Sequence, residues 1–368
     1  MLFSNFLIHE LDFLYLKEKM NKQINTAIAS FGMSGQVFHG PFLKVNDGFL
    51  VSQILERRKN ISQELFPEAE IVRSFDNILS NSKIELVIIN TPDALHFEMA
   101  KLALKAGKHV VVEKPITHKS SEAEELIQLA KKMGVLLFVY QNRRWDGDFR
   151  TVQKVLAEKK LGRLVEFESH FDRYRTFITL NTWKEEADEY SGVLYNLGSH
   201  MVDQVYVLFG KPKAVTAHLK IVRTAGVVTD YYDIRLEYEG FSALVKCSYL
   251  VKNAGPRYTI HGEFGTFYKS GIDPQEELLK AGKLPNSDNL GVESPDEWGT
   301  IFYEEAGEDV EELVETIPGD YSIFYKNVQN AIRNGAELLV KPEDTVEVLK
   351  ILEACQKSNQ DKKTIFLK

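Results

Sequence analysis

The stretch NTAIASFGMSG, residues 25–35, decides the fold of the N-terminal half of the chain. It joins a short apolar run, residues 25–31, to a turn, residues 32–35, and a helix is predicted to follow through Lys44. A strand that passes through a glycine-rich turn into a helix is typical of the first unit of a doubly wound α/β sheet, in which parallel strands alternate with helices.

The residues that follow keep this alternation. Residues 84–90 (IELVIIN) are a continuous apolar run of strand length, as is typical of strands buried on both faces of a parallel sheet. The predicted order after the first helix is strand 49–55, strand 84–90, helix 97–105, strand 109–112, helix 121–133 and strand 136–140. We therefore predict a dinucleotide-binding domain over residues 23–145.

A different pattern begins after residue 145. Longer strand-like stretches with few helices between them predict a second domain, residues 146–368, built on a mostly antiparallel sheet. Its predicted strands are 165–173, 214–222, 231–238, 243–249 and 257–262, and its predicted helices are 199–208, 321–334 and 343–359. Residues 281–307 are rich in Gly, Pro, Asn, Asp and Glu and are predicted to form a long surface loop.

Composition argues against several functional classes. The net charge of −8 is spread along the chain and offers no basic face to nucleic acid. No apolar run approaches the ~18–20 residues that span a bilayer, so no membrane partner is expected. The two cysteines, Cys247 and Cys355, are too few for a disulfide framework and favour a reducing, cytoplasmic location. The nine histidines lack the close spacing of metal ligands, so no metal is predicted.

Residues 1–22 are an N-terminal extension that precedes the regular pattern. They are apolar and aromatic, but Glu10 and Asp12 interrupt them, and no basic start or small-residue cleavage site indicates a signal peptide. Two interpretations stay open: a short helix docked on the body, or an upstream start codon with Met20 as the natural beginning.

The turn after the first strand, SFGMSG at residues 30–35, is a G-x-G-x-x-G motif with serine in the first glycine position. Glycine at position 32 lets backbone N–H groups approach a pyrophosphate, glycine at position 35 lets helix and strand pack closely, and the helix N-terminus favours phosphate charge. The residues predicted to hold the coenzyme here are Gly32, Met33, Ser34, Gly35, Gln36 and Val37. A tight strand–helix turn without a ligand is the alternative.

Glu56, Arg57 and Arg58 follow the second predicted strand, where such a fold binds the adenosine ribose. A glutamate there accepts hydrogen bonds from the ribose hydroxyls and favours NAD, whereas arginines suit the 2′-phosphate of NADP. A carboxylate beside a phosphate is unfavourable unless it turns away. We expect NADP, with NAD as the alternative coenzyme.

Lys114 lies between Glu113 and Pro115 at the end of strand 109–112, at the sheet edge where ligands bind. Because it precedes proline, its backbone is predicted to be extended, and its side chain is predicted to point toward the cleft. Its ammonium could polarise a carbonyl or exchange a hydroxyl proton, and a solvated surface lysine is the alternative interpretation.

His200 lies in the stretch NLGSHMVD, residues 196–203, which is predicted to enter a helix. Asn196 and Asp203 are four and three residues away, so they share a helix face with it. Histidine is the usual acid–base near neutral pH, and a packed core histidine is the alternative interpretation.

Six stretches together resemble the Gfo/Idh/MocA family of oxidoreductases, and the resemblance covers nearly the whole chain from about Gln23. They are FGMSGQVFHGP (31–41), NTPDALH (90–96), AGKHVVVEKP (106–115), YQNRRWD (140–146), LYNLGSHMVDQ (194–204) and YKSGIDPQEE (268–277). The third stretch is highly specific for the family. The last three are most similar to the branch that contains NADP-dependent scyllo-inositol dehydrogenases.

The resemblance implies a Rossmann domain and a C-terminal open-faced sheet with helices on one face, which would mediate contacts in a homodimer or homotetramer. It also implies that Lys114 is the catalytic lysine and His200 the catalytic acid–base. The residues that would line the coenzyme are Thr91, Pro92, His96, Glu113, Lys114, Asn142 and Arg143. Many relatives carry aspartate where this chain has Asn196, which cannot take a proton, so this difference bears on rate and substrate more than on the reaction class.

These features predict an oxidoreductase that moves a hydride between NADP or NAD and a hydroxyl or carbonyl carbon of a polyol, inositol or sugar-like substrate. His200 would exchange the hydroxyl proton and Lys114 would stabilise the oxyanion, while Asn196 and Asp203 would position neighbouring hydroxyls. The aromatic residues predicted to stack on a substrate ring are Tyr174, Trp183, Trp145 and Tyr195. The alternatives are a dinucleotide-binding regulator without turnover, a NAD-dependent glycoside hydrolase and a structural oligomer with a vestigial cleft.

Overall fold

The computed structural model of the protein describes residues 23–179 and 182–367, without the side chain of Trp183. The predictions for the extension, residues 1–22, lie outside the described residues. Two sheets organise the described chain, one built from residues 24–139 and the other from residues 164–366. Among the helices of these described segments, none is both long enough and apolar enough to cross a membrane.

The N-terminal sheet has six parallel strands. They are β1 (Ile24–Ile28), β2 (Phe49–Leu55), β3 (Glu70–Val72), β4 (Leu86–Ile89), β5 (His109–Val112) and β6 (Leu137–Val139). Their spatial order is β3-β2-β1-β4-β5-β6, and every residue of β4 is buried, as is typical of a strand covered on both faces. The order reverses between β1 and β4, and in such sheets ligands bind beyond the carboxyl ends of the strands at this reversal.

Four α-helices of the described residues accompany this sheet. They are α1 (Gly40–Val45), α2 (Phe75–Ser80), α3 (His96–Lys105) and α4 (Ser120–Met133). A π-helical turn, Gly35–His39, leads into α1, so the predicted helix after the first strand is present but begins with a wider turn. The short elements β3 and α2 have no counterpart in the predicted order, because segments of three and six residues carry too little periodicity.

The C-terminal sheet has nine strands in the described residues. They are β7 (Leu164–His170), β8 (Ala214–Lys220), β9 (Tyr231–Glu237), β10 (Ser242–Ser248), β11 (Tyr258–Gly262), β12 (Gly265–Lys269), β13 (Gly299–Glu305), β14 (Glu308–Val314) and β15 (Ile365–Phe366). Their spatial order is β14-β13-β12-β11-β7-β10-β9-β8-β15. All neighbours are antiparallel except β7 and β10, which confirms the predicted mostly antiparallel sheet.

One face of this sheet is covered and the other is open. Along β9, Ile234 and Leu236 are fully buried, whereas Asp233 and Arg235 point to the opposite face. The helices of the C-terminal half are α5 (Gly147–Glu158), α6 (Ser199–Phe209), α7 (Gln275–Lys280), α8 (Ser322–Asn334) and α9 (Pro342–Asp361). Helix α9 packs on β8 and α6 packs on β10, which agrees with the open-faced arrangement that the resemblance implies.

Helix α8 returns from the C-terminal half to the N-terminal sheet. The Tyr325 ring on α8 lies 6.3 Å from the ring of Phe42 and 5.6 Å from the ring of Phe49, both in the N-terminal half. It also lies 6.1 Å from Tyr140, which follows β6. Since buried aromatic rings contribute large apolar areas to a core, this cluster holds the two halves of the molecule together.

The predicted surface loop at residues 281–307 is wrong over residues 299–305, which form β13 between β12 and β14. The strands β12 and β14 are likewise absent from the predicted set. Strands near the edge of an open sheet bury only alternate residues: Gly299 and Ile301 are buried, whereas Thr300 is half-buried and Phe302 is exposed. Their glycine-rich and acid-rich composition therefore resembles that of a loop.

Candidate active site

A cleft of about 320 Å³ lies between the two halves of the molecule. Its N-terminal wall consists of cleft residues 33–143, which follow the carboxyl ends of β1, β4, β5 and β6. Its C-terminal wall consists of cleft residues 173–280. The cleft therefore lies at the strand reversal, where the topology of the parallel sheet places a ligand.

The turn after β1 leaves room for a phosphate. A Cβ atom on Gly35 would lie 2.6 Å from the carbonyl oxygen of Ser30, so only glycine fits there. A Cβ atom on Gly32 would meet nothing nearer than the Ser30 hydroxyl at 3.8 Å, so the space beside this glycine is open. Ser30, which stands in the first glycine position, accepts a hydrogen bond from Gly32 N at 3.4 Å and thus fits the turn.

Two polar side chains on the N-terminal wall have atoms without partners among the described residues. Asn90 donates from Nδ2 to Ser30 O at 2.8 Å, but its buried Oδ1 accepts nothing, and the buried Oγ1 of Thr91 also has no partner. Buried polar atoms are rarely left unsatisfied, so both fit contacts with a bound ligand. Together with the open turn at Gly32, they fit the predicted dinucleotide.

The other predicted residues of the turn divide into two groups. Met33 and Ser34 line the cleft. Val37 is buried in the core, and the Gln36 side chain donates to Phe31 O at 3.1 Å. Val37 and Gln36 thus support the shape of the turn and do not line the cleft.

The carboxylate of Glu56 caps the segment that follows it. It accepts hydrogen bonds from Ile61 N at 3.0 Å, from Ser62 N at 2.9 Å and from Ser62 Oγ at 2.5 Å, and Glu56 is only 7% exposed. Arg57 and Arg58 are both exposed at the end of β2. The glutamate is therefore turned away, and the two arginines are presented at the predicted ribose position.

Glu113 is the centre of a hydrogen-bonded chain on the N-terminal wall. Its Oε1 accepts from Ser34 Oγ at 2.6 Å and from His39 Nε2 at 3.0 Å, and its Oε2 accepts from Lys114 N at 3.1 Å. His39 Nδ1 lies 2.6 Å from the Tyr325 hydroxyl, which donates to it when Nε2 carries the proton. Burial raises the pKa of Glu113, but the hydrogen bonds from His39 and Ser34 and the charge of Lys114 lower it to about 2.

Lys114 joins the two walls. Its Nζ donates to the backbone oxygen of Asn196 at 2.7 Å and to the Asn196 side-chain oxygen at 3.1 Å. An ammonium has three N–H donors, so one is left for a ligand. Burial lowers the pKa of Lys114 to about 8, although the Glu113 carboxylate opposes this shift. Lys114 can therefore exchange a proton near neutral pH, and Asn196 serves as its neutral acceptor.

His200 lines the same cleft from the C-terminal wall, where the π-helical turn Leu194–Gly198 leads into α6. The residue is buried, and its Nδ1 has no hydrogen-bond partner among the described residues. Burial, together with the positive charges of Lys114, Arg143 and Arg257, holds the pKa of His200 well below its usual range. The imidazole is therefore neutral and can make hydrogen bonds, but it is a weak base.

His96 links two loops of the N-terminal wall. Its Nδ1 lies 2.7 Å from the carbonyl oxygen of Pro115, and its Nε2 lies 3.0 Å from that of Thr91. The ring lines the cleft, with both nitrogens facing backbone oxygens. Pro92 lies in the loop that His96 supports and does not itself line the cleft.

Asn142 and Arg143, which the resemblance assigns to the coenzyme, also line the cleft. The Arg143 guanidinium is buried and donates to Asp146 at 3.0 Å and to Glu276. Because these two carboxylates already accept its hydrogen bonds, Arg143 stabilises the wall of the cleft. Asn142 is therefore the more available of the two residues for a ligand.

The structure does not bring Asp203 to the cleft, which corrects its predicted role. Its carboxylate is buried and accepts hydrogen bonds from Arg144 Nε at 2.8 Å and from Arg144 Nη2 at 2.7 Å. A carboxylate held by both arms of a guanidinium is not available to substrate hydroxyls. The shared helix face with His200 predicted proximity, but the arginine decides where the side chain points.

The predicted aromatic stacking residues are not brought together at the cleft. Tyr174 is 56% exposed and does not line it, and Tyr195 and Trp145 are buried in the core. The side chain of Trp183 lies outside the described residues. Since the neighbours of Tyr174 line the cleft, alternation along the extended chain directs Tyr174 away from it.

The residues of the site that sequence reasoning missed include Asn90, His39, Arg173 and Arg175. The arginines could have been predicted from the sequence, because side chains two residues apart on an extended chain point to the same face. His39 and Asn90 lie within family-like stretches but reach the site only through packing. Among the described residues, no three His, Cys, Asp or Glu side chains are grouped as a metal ion needs.

Comparison with known proteins assigns the family. Residues 24–141 match the profile described as "Oxidoreductase family, NAD-binding Rossmann fold", and residues 153–367 match "Oxidoreductase family, C-terminal alpha/beta domain". The chain belongs to the Gfo/Idh/MocA family of oxidoreductases. This confirms the family that the six sequence stretches resemble.

Similar Gfo/Idh/MocA proteins span almost the whole chain. Scyllo-inositol 2-dehydrogenase (NADP(+)) IolW of Bacillus subtilis is 39% identical over 344 residues, which cover 94% of this chain and 96% of the relative. The uncharacterized oxidoreductase YdgJ of Escherichia coli is 34% identical, with 95% of this chain and 100% of the relative covered. The structure of a putative oxidoreductase, yvaA from Bacillus subtilis, matches with a TM-score of 0.91 at 39% identity, covering 94% of this chain and 99% of that one.

Membership of the Gfo/Idh/MocA family confirms the predicted reaction class, the predicted pair of sheets and the predicted nicotinamide coenzyme, NAD or NADP. The open turn at Gly32 and the unpartnered oxygens of Asn90 and Thr91 fit that coenzyme on the N-terminal wall. The residues that contact it, and the choice between its two forms, are taken up below.

Proposed function

We propose that this protein is an NADP-dependent oxidoreductase that interconverts a hydroxyl and a carbonyl group on a polyol, inositol or sugar-like substrate. The observation that carries the proposal is the convergence of Lys114 and His200 on one cleft, beside an open phosphate turn at Gly32. The similarity to scyllo-inositol 2-dehydrogenase IolW over 94% of the chain supports a polyol substrate.

The two residues take different parts in the proton step. Lys114, with a pKa of about 8, is matched to proton transfer near neutral pH, so it takes the hydroxyl proton in oxidation and returns it in reduction. His200 is held neutral by burial and nearby cations, so it orients the same oxygen through a hydrogen bond instead of acting as the main base. Asn196 fixes the Lys114 ammonium at 2.7 and 3.1 Å. Bound nicotinamide supplies or accepts the hydride.

The preference for NADP is supported by the residues that follow β2, Glu56 to Arg58. Glu56 is occupied by Ser62 and by the backbone of the following turn, so its charge is turned away from a 2′-phosphate. Arg57 and Arg58 are exposed beside it and offer planar, permanently charged donors that suit phosphate.

Titration calorimetry with NADPH and with NADH tests this preference. We expect the unmodified chain to bind NADPH more tightly, and the double variant R57A/R58A to lose about 10- to 100-fold in NADPH affinity with NADH affinity unchanged. The matched control is Lys59→Ala, an exposed neighbour in the same loop. Equal or tighter binding of NADH by the unmodified chain would overturn the assignment of NADP.

Turnover on a panel of polyols, inositols and sugars with NADP tests the reaction. We expect absorbance of reduced nicotinamide to appear with at least one member and to depend on Lys114 and His200. Tight NADPH binding without turnover of any panel member would instead support a regulator, and sugar release without net reduction would support a glycoside hydrolase.

We also propose that copies of the chain associate through the open face of the C-terminal sheet as a homodimer or homotetramer. Large side chains on β12, β13 and β14 support this, since Tyr268 and Phe302 are each 39% exposed and Leu313 is 58% exposed. Light scattering of the unmodified chain and of a Phe302→Asp variant tests it, with dissociation of the variant expected. A monomeric unmodified chain would contradict it.

A cytoplasmic location is part of the same proposal. Cys247 and Cys355 are both buried free thiols, and a reducing compartment keeps thiols in this state. Fractionation of cells that make the protein tests the location directly, and recovery outside the cytoplasm would contradict it.

A further inference from the structure

Arg173 and Arg175 form a pair of cations on the C-terminal wall whose positions are set by backbone hydrogen bonds. The chain beyond β7 runs beside the end of β10, where Arg173 N donates to Ser248 O at 2.9 Å and Arg175 N donates to Tyr249 O at 2.7 Å. Successive side chains of an extended chain point in opposite directions. Both arginines therefore line the cleft, and Tyr174 between them faces outward.

Neither guanidinium has a hydrogen bond or an ion pair with any described residue. Their contacts are aromatic rings: the Arg173 guanidinium carbon lies 5.2 Å from the ring centroid of Phe171, and that of Arg175 lies 5.3 Å from that of Tyr249. A contact of this kind attracts the cation to the ring but gives its N–H groups no oxygen acceptor. Both arginines are half-buried, and their guanidinium N–H donors make no hydrogen bond to a described residue.

Each described carboxylate of the cleft is already paired or hydrogen-bonded to another group, and only Glu276 senses one of these arginines, because the charge of Arg173 helps to lower its pKa. Glu276 pairs with Arg143, Glu185 pairs with Arg223, Asp93 pairs with a histidine, and Glu113 belongs to the hydrogen-bonded chain of the N-terminal wall. A neutral ligand that displaced water here would leave two cations desolvated without compensation, which is unfavourable. An anionic ligand would instead gain charge-assisted, fork-shaped hydrogen bonds.

We propose that the substrate carries an anionic group, a carboxylate or a phosphate monoester, that Arg173 and Arg175 bind while Lys114 and His200 hold the reacting oxygen. The inference rests on the proposed oxidoreductase function and narrows its substrate from polyols in general to acidic or phosphorylated ones. The phosphate turn at Gly32 lies on the opposite wall, so these arginines are separate from the site predicted for the coenzyme phosphates.

Matched substrates test the proposal on the full chain with NADP. The series are aldoses, their uronates and their 6-phosphates in the gluco, galacto and manno configurations, together with myo-inositol and its 1-phosphate. We expect kcat/KM for an anionic member to exceed that of its neutral parent by about 10- to 100-fold for each arginine engaged. The uronates and the phosphates separate the two sources of negative charge. Neutral parents that react as well as their anionic counterparts throughout would overturn the proposal.

The double variant R173Q/R175Q locates the effect. We expect it to remove the preference for the anionic member, mainly by raising the KM of that member toward the KM of its neutral parent, with NADPH affinity unchanged. The matched control is Tyr174→Phe, which lies between the two arginines and outside the cleft. Loss of NADPH affinity in R173Q/R175Q would assign the arginines to the coenzyme and overturn the proposal.

Calorimetry separates failure of this inference from failure of the proposed function. Glucuronate and glucose 6-phosphate are titrated into the NADPH-bound chain and into NADPH-bound R173Q/R175Q. If the unmodified chain binds one of these anions and R173Q/R175Q does not, but no alcohol is turned over, the anion site is supported and the proposed reaction is wrong. Turnover of neutral alcohols, with no binding of either anion, would uphold the reaction and overturn the anion site.

Discussion

On the N-terminal wall of the cleft both oxygens of the Glu113 carboxylate accept hydrogen bonds, whereas on the C-terminal wall the guanidinium groups of Arg173 and Arg175 find no acceptor among the described residues. On the first wall the charge of the Glu113 carboxylate is balanced by the protein itself, while the neutral oxygens of Asn90 and Thr91 keep no partner within the described chain. The second contains charge that the protein itself does not balance.

This difference separates two tasks of one site. A wall that meets the same coenzyme in every cycle can have its polar groups fixed in advance by neighbours such as Ser34 and His39, which is preorganisation. A wall that selects a substrate keeps donors unpaired. A ligand that covers these donors without accepting their hydrogen bonds binds more weakly, because the donors lose their contacts with water. The comparison teaches that the walls differ in charge balance: the charge of Glu113 is matched within the protein, whereas Arg173 and Arg175 have no ion pair among the described residues.

The largest expected effect concerns Lys114, which bridges the two walls through Asn196. In Lys114→Ala, kcat/KM with a confirmed substrate should fall by about 10²- to 10⁴-fold, because the positioned acid–base group is lost. NADPH affinity, measured by calorimetry, should change little. The control is Lys132→Ala, an exposed lysine at the end of α4. Near-normal turnover in Lys114→Ala would show that Lys114 is not the acid–base group of the reaction.

The pH dependence sharpens the same comparison. In carbonyl reduction the Lys114 ammonium gives the proton, so kcat/KM should be level below its pKa of about 8 and should fall about tenfold per pH unit above it. In oxidation the neutral amine is needed, so the sign reverses and the rate rises toward pH 8. His200 should not shape the profile, because its pKa lies well below its usual range. A bend in the pH profile near the ordinary histidine pKa, about 6.5, would indicate that a histidine, and not Lys114, transfers the proton.

The smallest expected effect compares the stability of the two walls. His39→Phe keeps the ring that packs 4.5 Å from Tyr140 but loses the hydrogen bonds to Glu113 and Tyr325, so the free energy of unfolding should fall by about 1–3 kcal/mol. Arg173→Gln removes a cation that has no acid partner and should change it by only about 0.5 kcal/mol. Urea unfolding of both variants at pH 7 measures the difference. Equal losses would show that the two walls are not built differently.

The N-terminal wall could be predicted because its residues follow strands of one parallel sheet. The carboxyl ends of β1, β4 and β5 meet at one edge, where the sequence predicts the turn at Gly35 and Lys114, and where the family resemblance implies Thr91. The open turn at Gly32 and the cleft position of Lys114 agree with that expectation.

The C-terminal wall was harder to predict because its side chains pair with residues that are far away along the chain. Helical spacing placed Asp203 near His200, but Arg144 holds its carboxylate in a buried pair. Aromatic character suggested Tyr174, but the alternation of an extended chain turns it outward and brings its neighbours Arg173 and Arg175 inward. Composition suggested a loop at residues 281–307, but an open sheet accepts strands that bury only alternate residues.

The sequence by itself determined the fold class, the phosphate turn and the family, since apolar runs, glycine spacing and short contiguous motifs are local properties of the chain. Only the tertiary structure decided that Glu56 turns away from its arginines, that His39 and Tyr325 support Glu113, and that two arginines in the cleft lack acid partners. The physical reason is that charge balance depends on which groups lie within a few ångströms of each other, and packing sets those distances between residues far apart in the chain.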